Sequence, residues 1–101
     1  MASALTKASR GQECTLQIHP HCVWDVSRTS PCHLPSGDRG VAFKSQDWWL
    51  VDGCDVCHSI IDGRLQVDLP EIEILKCTMR ALHRTLKRRI DQGLIKVPKG
   101  C

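Results

Sequence analysis

The most regular run of apolar positions lies in the last third of the chain. Ile72, Leu75, Met79, Leu82, Leu86 and Ile90 recur three or four residues apart, which places them on one stripe of an α-helix. Gly93 stands where such a helix closes, and Asp68 with Glu71 three residues on has the form of a capping box around Pro70. The pattern predicts a helix over about residues 69–93, docked on the rest of the chain through its apolar stripe. Upstream the elements must be short, because HP, SP, LPSGDRG and DGC mark turns. Strand-favouring side chains predict strands at Thr15–Ile18, in a segment ending near His33, and at Trp48–Val51. In such a strand Trp48 and Trp49 face opposite ways, one into the core and one outward. LPSGDRGVAFKSQ reads as a loop, and CDVCHSIIDG suits a short helix closing at Gly63.

Composition changes this picture in one respect. The chain has 101 residues, enough for one small domain and too few for a two-domain enzyme with its own cofactor fold. It is 42% hydrophobic but only 4% aromatic, so its core is short of large side chains and needs a staple. Seven cysteines and five histidines supply the means. The opening MASALTKASRGQEC lacks the apolar stretch of a secretory signal, and no window approaches the roughly 18 apolar residues of a membrane span. The chain is therefore expected to be soluble and cytoplasmic, where CxxC pairs bind metal more often than they form disulfides. A disulfide-stapled secreted domain is the alternative.

Charge matters through its distribution. The net charge is +3, yet Lys76, Arg80, Arg84, Lys87, Arg88 and Arg89 follow one another with no acidic residue between them. At 100° per residue, Lys76, Arg80, Arg84, Lys87 and Arg88 fall on the flank beside the apolar stripe, and Arg89 falls on its other side. This flank, together with Arg64, is the expected contact for a nucleic acid, read through phosphates rather than bases. A solvated charged face is the plainer alternative.

Cys54 and Cys57 form a CxxC pair, and Cys14 and Cys22 a looser one upstream. Four thiolates from two separated pairs make a closed tetrahedral site for a structural zinc ion, with His19, His21 and Cys32 as rival upstream ligands. With zinc on the cysteines, His33 and His58 remain. His58 and Asp62 stand four apart on the short helix, so both project from one face and can hold a second divalent ion with open positions, as hydrolysis requires.

The order of a cysteine pair, His33 within CHLP, a glycine-containing loop and then CDVCH resembles the HNH endonucleases. More closely, RGQEC, CHLP and GCxxCHxxIDGR resemble the small YbcO-type nucleases of lambdoid phages and prophages, from about Arg10 to Arg64. The resemblance implies an α+β, zinc-stapled ββα-metal domain ending in a basic amphipathic helix. The whole chain 1–101 would form this domain, with an arm at 1–12, a zinc and metal core at 13–64 and the helix at 69–93. It also implies that His33 is the general base and that His58 holds the catalytic magnesium, manganese or zinc. The activity implied is cleavage of DNA phosphodiester bonds in the bacterial host cytoplasm. Arg64 or Lys44 would add phosphate contacts. Cys32 stands where HNH enzymes carry an acidic ligand, and the chain has no asparagine to orient the base. Asp62 is the expected substitute for the first, and Ser45, Gln46 or Asp47 for the second. A zinc module that binds nucleic acid or a protein without cutting is the competing function, and a homodimer through the apolar stripe is compatible with either.

Overall fold

The structure, a computed structural model, describes residues 3–35 and 46–98. Ser3 accepts a hydrogen bond from the Thr6 amide and starts a one-turn helix, α1 (Ala4–Lys7). The chain then winds without regular structure to a 3-10 turn at Val26–Arg28, whose start is capped by the Asp25 carboxylate. Strand β1 (Thr29–His33) pairs antiparallel with β2 (Leu50–Cys54), with His33 opposite Leu50 and Thr29 opposite Cys54. β2 runs straight into α2 (Asp55–Ile61), and α3 (Glu71–Asp91) closes the fold. Among the described residues the architecture is thus α+β, a two-stranded sheet with three α-helices. No helix among the described residues is long and apolar enough to cross a membrane.

The two helix stops behave as expected. Gly63 and Gly93 follow α2 and α3 with φ of 78° and 75°, the left-handed conformation that releases a chain from a helix. Other expectations fail for identifiable reasons. Thr15–Ile18 is not a strand, because the Thr15 amide is drawn to the Asp52 carbonyl (2.7 Å) and Gln17 turns the backbone at φ 47°. Leu16 and Ile18 still reach the core from this bend. The second strand begins at Leu50, so strand alternation does not orient Trp48 and Trp49. Trp48 is exposed, while Trp49 packs on the core and donates its indole N–H to the Pro35 carbonyl (2.9 Å). Asp68 does not cap α3. Pro70 holds the cap position, and its carbonyl accepts from the Glu73 and Ile74 amides.

The largest departure concerns how α3 docks. Its buried residues are Ala81, Thr85 and Arg89, with Ile74, Cys77 and Leu82 packed beside them. Ile72, Leu75, Met79 and Ile90 of the apolar stripe face outward. The helix is rotated roughly 110° from the orientation its hydrophobic pattern predicts. The cause is a charge in the core. Asp52, in the middle of β2, is fully buried, and both its oxygens are bonded to the Arg89 guanidinium (2.6 and 3.1 Å), with Arg88 adding a third contact at 2.6 Å. Arg89 also donates to Ser9 Oγ and the Leu5 carbonyl, tying α1 and the turn after it to α3. Thr85 Oγ accepts from the Asp52 amide (3.2 Å) and pairs with the Thr15 hydroxyl (3.0 Å). A buried carboxylate without these partners would cost several kcal/mol, so the polar face of the helix turns inward and the apolar face is left out.

Candidate metal centre and histidine site

Cys14, Cys22, Cys54 and Cys57 converge with their ligand atoms all within 4.8 Å of one another, and all four are buried. Three local features bring them together. The chain turns back after Ile18, whose carbonyl accepts from the His21 and Cys22 amides (2.8 and 2.9 Å). Cys14 is anchored one residue before the Thr15 contact to β2. Cys54 ends β2 and caps α2, its sulfur accepting from the Cys57 amide (3.4 Å). Among the described residues this is the one group of three or more metal-ligating side chains that closes on a point, and His19, His21 and Cys32 lie outside it.

Its electrostatics suit a cation. The Cys14 thiol is lowered to about 5, first of all by a hydrogen bond from Cys57, whose own thiol is pushed up by giving it. Burial raises Cys22 to about 11. An ion bound at about 2.3 Å from each sulfur would separate the sulfurs by about 3.8 Å, a small contraction of the cluster. The four cysteines could hold a structural metal ion such as zinc. Cys32 is also fully buried, and burial pushes its thiol up, so it behaves as a small apolar side chain.

His33 ends β1, and its Nε2 lies 2.9 Å from Asp47 Oδ1. A carboxylate only accepts, so Nε2 carries the proton. In the neutral ring, Nδ1 keeps its lone pair for an incoming proton. His33 and Asp62 both line a cavity of about 550 Å³ bounded by the end of α2, the 62–69 segment and the first turns of α3. Asp62 Oδ2 lies 3.1 Å from His58 Nε2 and 3.1 Å from the Arg64 guanidinium. His58 and Asp62 therefore do meet on one face of α2, and Asp62 links His58 to the cavity that His33 lines.

The basic residues divide. Lys76, Arg80, Lys87 and Arg64 are exposed, although Lys76 reaches Glu73 and Lys87 reaches Asp91. Arg84 donates to the Thr15 carbonyl (2.9 Å), and Arg88 to Asp52 and the Glu13 carbonyl, so these two also tie loops to α3. Lys44, Ser45 and Cys101 lie outside the described residues. Asp47 is thus the orienting candidate that the geometry brings to His33. Sequence reasoning missed the Asp52 and Arg89 network, for which the available signals were an aspartate inside the apolar LVDGC run and an arginine at Arg89, on the far side of the apolar stripe from the other bases.

A short hairpin that feeds a helix across a four-cysteine cluster, with two histidine–carboxylate pairs near its ends, defines a small α+β module whose cysteines could hold a metal ion. The family model described as "Putative nuclease YbcO" matches residues 3–94, and the chain belongs to that family. A solved structure titled "Structure of a putative bacteriophage protein from Escherichia coli str. K-12 substr. MG1655" has the same fold. The two are 24% identical, with a TM-score of 0.74 over 88% of this chain and 99% of the other. No curated protein matches this chain.

Proposed function

We propose that the chain is a metal-dependent nuclease of the HNH type that hydrolyses phosphodiester bonds in DNA, encoded by a phage or prophage and acting in the bacterial host cytoplasm. Its membership of a family described as nucleases, and its likeness in fold to a protein titled as a bacteriophage one, support this reading. One observation carries it: an imidazole fixed by Asp47 lies at the edge of a cavity that also presents Asp62, the partner of His58.

His58 and Asp62 offer one nitrogen and one oxygen on adjacent turns of α2, a donor pair that leaves most positions of a divalent ion to water and phosphate. When bound there, such an ion supplies charge neutralisation at the scissile phosphate. His33 accepts at Nδ1 a proton from the attacking water, and Asp47 holds the ring and stabilises the imidazolium that forms. The departing oxygen is protonated by solvent. Arg64, exposed at the surface and paired with Asp62, is placed to exchange that carboxylate for a phosphate oxygen. The exposed cations of α3, Lys76, Arg80 and Lys87, add sequence-independent affinity.

Plasmid nicking by the zinc-loaded protein with added magnesium or manganese tests the proposal. His33→Ala should lower the rate by about 10²- to 10⁴-fold, as loss of a general base does, with zinc content unchanged. DNA binding with no metal-dependent nicking by the parent protein would refute it and favour the zinc module that binds without cutting.

A further inference from the structure

The outward face of α3 is organised for pairing. Ile72, Leu75 and Met79 are 55%, 53% and 67% exposed, and with Leu82 and Leu86 they alternate strictly three and four residues apart. That is the seam of a two-stranded coiled coil rather than the broader stripe of a helix docked on a core. The domain holds α3 by the face around Ala81 and Arg89, with Leu82 packed beside it, so the exposed stretch from Ile72 to Met79 is where a second helix can be laid. We propose that α3 pairs with the α3 of a second copy of this chain, the two helices running parallel about a two-fold axis.

Charge selects the second copy and the direction. With Ile72, Met79 and Leu86 at the first core position of each heptad, Glu71 and Lys76 fall at the two flanking positions that meet across a parallel pair. Each copy then supplies Glu71 to the other's Lys76, twice by symmetry. In the single chain both are at the surface, Lys76 reaching Glu73 at 3.5 Å. An antiparallel pair would instead bring Lys76 and His83 of both copies onto one side, like against like. Covering Ile72, Leu75, Met79 and Ile90 in two copies removes on the order of 900 Å² of surface, and the stems of Lys76 and His83 with Leu82 and Leu86 carry it to the about 1,200 Å² where specific interfaces begin.

The test is sedimentation equilibrium of the zinc-loaded full chain over about 1–100 µM, a range that covers micromolar association. A dimer mass at the upper end is expected. Met79→Lys, at an exposed position, should weaken association by at least about tenfold by putting two ammonium groups in the seam. Lys76→Glu should weaken it by about fivefold, and Glu71→Lys combined with Lys76→Glu should restore it, because the pair is exchanged rather than removed. A parent chain that stays monomeric throughout, including one that takes up an acidic helix from another protein instead, overturns the proposal. So does tighter association of Lys76→Glu, the mark of antiparallel packing. None of these outcomes depends on whether the histidine site cuts DNA.

Discussion

Asp52→Asn is the sharpest probe of what holds α3 in place. The substitution keeps the shape of the side chain and one carbonyl oxygen but removes the charge that three guanidinium contacts and the Ser9 hydroxyl converge on. Arg89, 1% exposed, is then a buried cation with no anion, and the new amide turns its N–H groups toward a donor. Breaking one side of a buried pair costs about 3–5 kcal/mol. A domain of this length has about 5–15 kcal/mol in total, so the loss is a large share of it. With a urea slope of about 2 kcal/mol/M, the midpoint should fall by roughly 2 M at constant zinc, with the slope unchanged. Replacing both Asp52 and Arg89, as Asp52→Leu with Arg89→Met, should cost less than Asp52→Asn alone, since no buried charge is left without a partner and Arg88 can turn to water. A midpoint for Asp52→Asn that moves by less than about 0.5 M, or about 1 kcal/mol, would refute the reasoning.

Other consequences follow from the same contacts. Cys57→Ser should abolish stoichiometric zinc and, like chelation of the parent protein, remove the folded far-ultraviolet spectrum, because a structural zinc site contributes about 10–16 kcal/mol of apparent binding energy to folding. Gly53→Ala should cost about 1–3 kcal/mol in urea unfolding, since the added methyl would lie 2.8 Å from Leu16 Cδ1 and 2.9 Å from Cys32 Sγ. Asp47→Asn should leave zinc content and stability unchanged and lower nicking by about tenfold or more, because an amide cannot stabilise the imidazolium that forms on His33. Unchanged nicking in that variant would remove Asp47 from the mechanism.

Local signals in the chain were good guides to local structure. The stops at Gly63 and Gly93, the cysteine pair of the CxxC motif and the i, i+4 spacing of His58 and Asp62 each depend on a few neighbouring residues, and each reads directly from the sequence. The upstream cysteines were harder, since a seven-residue gap between Cys14 and Cys22 says little about a turn whose form is set by hydrogen bonds to Ile18. Asp47 was one of three candidates for holding His33, and only the folding of the chain around the hairpin end separates it from Gln46. The orientation of α3 was misread because periodicity measures how apolar a face is, not what the opposing surface requires. Here the opposing surface carries a buried aspartate, and threonine and arginine answer it better than leucine does.

Cys54 belongs at once to the end of the hairpin, the start of α2 and the sulfur cluster. The radius of whatever ion the cluster takes up therefore sets where α2 begins, and with it how far His58 and Asp62 stand from the hairpin end at His33. Exchanging zinc for the larger cadmium ion would act as a fine adjustment screw on the distance between the two halves of the histidine site, without altering a single residue in it.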